Sequence, residues 1–135
     1  QKGEKMLDQY IDKMLKVAKK AAQKAYDDCV PAPMAFQNSD SLFGGFDKNK
    51  PYEIDKEGSC GWAGLKVAGP GKNMISKELK AKNLIDTLGS NYGWDMRVVC
   101  NKWSQSADRA EAAAIAYGKV LKKYGVPNGV VTRLT

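Results

Sequence analysis

The run ADRAEAAAIAYGKVLKKYGVP, Ala107 to Pro127, leaves its backbone little choice. Alanine gives up no side-chain entropy in a helix, and Leu, Lys and Glu give up little, so the segment is expected to be the strongest helix of the chain. Ser106 stands where an N-cap belongs, Asp108 and Glu111 lie in the first turns where negative charge suits the helix dipole, and Gly125 and Pro127 form the stop. A second helix is read from Lys5 to Asp27, where Leu7, Ile11, Met14, Ala18, Ala21 and Ala25 recur at spacings of three and four. Lys13, Lys16, Lys19, Lys20 and Lys24 fall largely off that stripe, among Asp8 and Asp12, which makes the outer face solvated and basic. The small alanines of the stripe permit close approach, either to another element of the same chain or to a second copy in a homodimer.

Between and after these helices the pattern alternates. CGWAGLKVA reads as a strand, ISKELKAKNLIDTL as a helix with Ile75, Leu79, Leu84, Ile85 and Leu88 on its apolar side, GWDMRVVCN as a strand, and GVVTRL as a final strand. The expected fold is therefore α+β or α/β: an N-terminal amphipathic helix, then a three-stranded sheet in β-α-β-α-β order with helices packed on it. At 135 residues the chain has the size of one domain, organised as a helix over 1–28, a long connection or insertion over 29–57, and a core over 58–135. The connection holds Pro31, Pro33, Pro51 and the Gly44-Gly45 pair and has no sustained period. Its aromatics Phe36, Phe43, Phe46 and Tyr52 call for a role, as anchors on the domain or as a protein-binding arm.

Composition narrows the chemistry. Twenty-two Lys and Arg against fifteen Asp and Glu leave a formal charge of +7, which favours an anionic partner, nucleic acid first among them. With no histidine, the common general base, the usual zinc ligand and the Ser-His or Cys-His pairings are missing, and no local spacing brings two carboxylates together, so the reading leans against an enzyme and assigns no catalytic residue, metal or cofactor. Cys29, Cys60 and Cys100 are too few and too widely spaced for a disulfide framework and read as buried small hydrophobes. No run of about 18 apolar residues marks a membrane span.

The glycine-rich GSCGWAGLKVAGPGKN, residues 58–73, invites comparison with a phosphate loop and fails it. Lys66 stands where the first glycine of a P-loop belongs, Asn73 replaces the magnesium-binding hydroxyl, Pro70 removes an amide, and there is no G-x-G-x-x-G spacing. A weaker expectation survives, that the start of the next helix with Lys66 and Lys72 holds one phosphate. In NKWSQSADRAE, residues 101–111, Lys102, Trp103 and Gln105 set a cation, an aromatic face and an amide together, a combination able to stack a base or line an interface. Trp62 and Trp94, inside strand patterns, are expected in the core, and Arg133 on the last strand is an isolated cation for a carboxylate or a phosphate.

CGWAGLKV, the helix with KELKAKN, GWDMRVVCNKWSQS, EAAAIAYGKVLKKYGV and the closing VVTRL together resemble a family of small uncharacterised tailed-bacteriophage proteins over Gly58 to Thr135. In that family a CGFAWV-like strand precedes a helix, an aromatic-rich strand, a Gln-Ser step, an Ala-rich helix and a terminal Ser-Arg-Leu/Met-Asp. Gly64 departs from it where a bulky residue is usual, as do Thr132 and Thr135 around Arg133. The resemblance implies viral origin and action in the cytoplasm of a bacterial host, and supplies no activity. The expected function is a non-enzymatic phage accessory protein binding nucleic acid through Lys66, Lys72, Lys102, Trp103, Gln105 and Arg133. Its alternatives are an inhibitor of a host or defence protein, using the aromatic connection, and a virion component.

Overall fold

The computed structural model describes residues 2–36, 53–56, 58, 60–67, 73–88, 91–100 and 106–134. In chain order the elements are α1 (Lys2–Asp28), β1 (Met34–Phe36), β2 (Glu53–Asp55), β3 (Gly61–Val67), α2 (Met74–Ala81), β4 (Asp86–Leu88), β5 (Asn91–Asp95), the single turn α3 (Met96–Val99), α4 (Ala107–Lys123) and β6 (Asn128–Leu134). The chain is thus α+β. Its main sheet has four strands rather than three, in the order β4-β5-β3-β6 with every pairing antiparallel, and a separate antiparallel pair, β1-β2, lies inside the segment read as a bare connection. Strands of three residues are too short to show an alternation, which is why β1, β2 and β4 leave no periodic trace.

Two local misreadings account for the extra strand. The helix expected over residues 75–88 stops at Ala81, because Asn83 takes up a positive φ of 54° and the amides of Asn83 and Leu84 donate back to the carbonyls of Lys80 and Leu79. This is a Schellman ending, and it frees Asp86–Leu88 to pair with β5. Likewise the strand expected over 93–101 ends at Asp95, where the chain turns into α3, closed by the Cys100 amide donating to Met96 O, with Met96 and Cys100 both buried. α4 matches its expectation: Ser106 caps its start, accepting from the Arg109 amide at 3.4 Å, and its end repeats the Schellman pattern with Gly125 at φ 94° and Val126 N–H donating to Leu121 O.

The layers stack as α1 on α4 and α4 on the sheet. Ile11, Met14, Ala18, Ala22 and Tyr26 of α1 are buried with Ala110, Ala113, Ala114, Tyr117 and Leu121 of α4, so the buried row of α1 runs through Ala22 and Tyr26, whereas the expected Ala21 and Ala25 are half-buried. On β3, Ala63, Leu65 and Val67 face this core, while Trp94 of β5 meets Tyr117 with ring centroids 5.2 Å apart. Of the cysteines, Cys100 is buried, Cys29 half-buried and Cys60 exposed, which corrects the expectation that all three are interior; none forms a disulfide.

α4 meets the sheet most closely at Gly118, where a β-carbon would lie 2.6 Å from Asn128 Oδ1 and 3.0 Å from Leu65 Cδ1. Asn128 has no room to retreat, because its amide nitrogen donates to Gly118 O at 3.0 Å and to Val126 O at 2.9 Å. Gly118→Ala is therefore expected to lower stability by about 1–3 kcal/mol through overpacking, although alanine is the better helix former. Urea denaturation reads the sign directly. A second expectation concerns the Tyr117 hydroxyl, which is buried without a hydrogen-bond partner among the described residues, and whose ionisation burial pushes well above the ordinary tyrosine range. Above pH ~10 an unfolded tyrosine loses its proton while Tyr117 keeps it, so stability falls as pH rises through that range. Tyr117→Phe should raise stability at neutral pH by about 1 kcal/mol and flatten the alkaline decline in a pH series of melts.

Candidate functional site

Lys66 and Arg133 are exposed on one face of the sheet, whereas Lys72, Lys102, Trp103 and Gln105 lie outside the described residues, as do Phe43, Phe46 and Tyr52 of the alternative interface. Phe36 closes β1 opposite Glu53. The start of α2 is occupied by its own cap: Asn73 Oδ1 accepts from the amides of Ile75 at 2.9 Å and Ser76 at 3.2 Å, and the Asn73 amide donates to Gly125 O at 2.9 Å. Those two amides are thus engaged, and Lys66 projects from the sheet.

Positive charge converges instead on α1. At 3.6 residues per turn, Lys5, Lys13, Lys16, Lys19, Lys20 and Lys24 fall within an arc of about 140°, opposite the buried row of Ile11, Met14, Ala18 and Ala22. All six are exposed, and among the described residues none makes an ion pair. Gln9, Asp12, Gln23 and Asp27 share this arc, with Gln23 donating to Asp27 at 3.1 Å. Asp8, also near the start of α1, is drawn aside by Lys82, which also reaches Glu78 at 3.7 Å. From Lys5 to Lys24 the stripe runs about 28 Å at 1.5 Å per residue. α1 holds this direction because α4 packs along its other side and because Tyr10 joins Tyr124 by its hydroxyl, which donates to the Tyr124 carbonyl at 2.8 Å, and by its ring, 5.3 Å away.

A second surface is the sheet face turned away from α4. Cross-strand register sets Trp62 beside Arg133, Gly64 between Val131 and Asp95, and Lys66 between Gly129 and Gly93, with Asp86 beyond Gly93. Trp62 therefore stands on the face opposite the core, contrary to its expected interior place, while Trp94 does face inward. The signal was present in the alternation of β3: Trp62, Gly64 and Lys66 share one parity, and a lysine in that set argues against a buried face. α4 packs on the other side, where Met96 and Cys100 around α3 also join the core. Among the described residues no cluster of three or more His, Cys, Asp or Glu is placed to hold a metal ion, and no helix is long and apolar enough to cross a membrane.

A scan against protein-family models found no match, and neither the comparison with curated proteins nor that with solved structures found a significant similarity.

Proposed function

We propose that this chain is a non-enzymatic nucleic-acid-binding protein and, following the resemblance of its sequence, a bacteriophage accessory protein acting inside the host cell. The supporting observation is the lysine stripe of α1, six exposed ammonium groups along one straight helix face with no ion pairs among the described residues. Ammonium groups are mobile point charges with three donors each, suited to phosphate oxygens and blind to base identity. A duplex offers them about one negative charge per 1.7 Å of its axis, so a stripe of about 28 Å meets a continuous row of phosphates.

An anionic membrane is the less fitting partner for α1. A helix lying in the lipid interface buries a broad apolar face among the acyl chains, and the main apolar row of α1, Ile11, Met14, Ala18, Ala22 and Tyr26, is already buried in the core, leaving Met6, Tyr10 and Val17 as its exposed large hydrophobics. The stripe also carries no exposed aromatic between its lysines on which bases would stack, which favours duplex over single strand at this surface.

Phosphate contacts release counterions, so affinity should fall steeply with salt, with a slope of about −0.9 in log-log form per phosphate neutralised. Anisotropy titrations of a mixed-sequence duplex across a salt series test this against a variant carrying Lys13→Gln, Lys16→Gln, Lys20→Gln and Lys24→Gln. The variant is expected to bind more weakly and to lose roughly 3 to 4 from the slope if all four lysines touch phosphate. An unchanged slope, or no binding by the unaltered protein at low salt, would sink the proposal.

A further inference from the structure

The sheet face turned away from α4 has features that the lysine stripe lacks. Trp62 is half-buried, and a β-carbon on Gly64 would lie 2.8 Å from its Cζ2 and 3.1 Å from its Cη2, so the six-membered ring of the indole rests over Gly64. The missing side chain at Gly64 is thus what lets the indole lie down along the strand. In the neighbouring strand, Arg133 is the direct cross-strand partner of Trp62, with its Cα about 5 Å away. Lys66 follows on the same face of β3, four residues and about 13 Å further along. Arg133 and Lys66 are exposed, and among the described residues neither makes an ion pair.

We infer that this face is a second nucleic-acid site, distinct from α1, which takes a single-stranded segment. One base stacks on the outer side of the Trp62 indole, Arg133 holds the adjoining phosphate, and the strand continues over Gly64 and Val131 toward Lys66. An aromatic lying flat on an antiparallel sheet between cations is a general solution for unpaired bases, since each base has a π-face and its backbone a charge. A duplex cannot use it, because its bases are already stacked on one another. The carboxylates on the same face, Asp95 across from Gly64 and Asp86 across from Gly93, lie on the β5 and β4 side. Their charge keeps a phosphate backbone on the β3 and β6 half, where both cations are. Close packing is possible there: Gly64 and Gly129 on that half carry no side chain above the sheet.

The inference shares with the proposed function only the chemical class of ligand and uses no residue of α1, so the two can fail separately. Binding of a mixed-sequence single-stranded DNA 12-mer is measured by anisotropy and by tryptophan emission for the unaltered protein, Trp62→Ala, Trp62→Phe, Arg133→Gln and the four-lysine α1 variant. Trp62→Ala should weaken single-strand binding roughly ten-fold or more, while Trp62→Phe keeps most of the affinity yet loses the emission quenching that belongs to position 62. Arg133→Gln, a change at an exposed side chain, should take about 0.7 from the single-strand salt slope. The α1 variant should lose duplex affinity and keep the quenching. If Trp62→Ala and Arg133→Gln both bind the single strand as the unaltered protein does, the sheet face is not a nucleic-acid site and the inference is overturned, whatever α1 does. If instead the α1 variant binds duplex normally while Trp62→Ala loses the single strand, the inference stands and the α1 reading falls.

Discussion

The near-contact between Gly118 of α4 and Asn128 of β6 sets the geometry on which the other surfaces depend. By letting the helix backbone come down onto the sheet, it allows one side chain, Asn128, to bond α4, β6 and the turn between them at once. α4 is thereby fixed as the middle layer, with Leu65 and Val67 below it and Ile11, Met14 and Ala18 above it. Two outward faces follow from that stacking. α1 must show solvent whatever lies opposite its apolar row, and the sheet must show whatever alternates with Ala63, Leu65 and Val67 on β3.

The parts of this arrangement legible in the sequence were those where the signal repeats. α1 and α4 each carry several turns of periodic apolar residues, and their limits fall close to the expected ones. Single-residue decisions were harder to read. One residue, Asn83, turned a fourteen-residue helix pattern into a short helix, a Schellman ending and a strand, because its left-handed backbone sends Leu84 and Ile85 back across the end of α2. Asn is among the few residues other than glycine that enter this region readily, but the surrounding Ile75, Leu79, Leu84, Ile85 and Leu88 also satisfy a helical spacing. Both descriptions fit the same letters, and strand pairing with β5 decides between them.

The candidate surfaces show a similar division. The basic outer face of α1 was evident from periodicity alone, yet its weight was not, since a row of lysines also serves solubility; what the fold adds is that the acids nearby leave the stripe largely cationic, with Asp8 engaged by Lys82. Trp62 was misplaced by the general rule that a strand tryptophan is interior. The absence of a side chain at Gly64 beside it has a physical reason in the ring that occupies that space. Asp108, read as a partner of the helix dipole, also accepts the Ala32 amide at 2.8 Å and so fastens the segment after α1 to the start of α4.

Asn73 links two helix ends that are far apart in sequence. Its side-chain oxygen caps α2 and its nitrogen donates to the carbonyl of Gly125, the left-handed residue that closes α4. Neither end can therefore fray without disturbing the other. In terms of hydrogen exchange, the first-turn amides of α2 and the closing amides of α4, Gly125 and Val126, are expected to open as one unit. A disturbance at the start of α2 thus reaches Tyr124, and through the Tyr10 hydroxyl reaches the lysine-bearing helix as well.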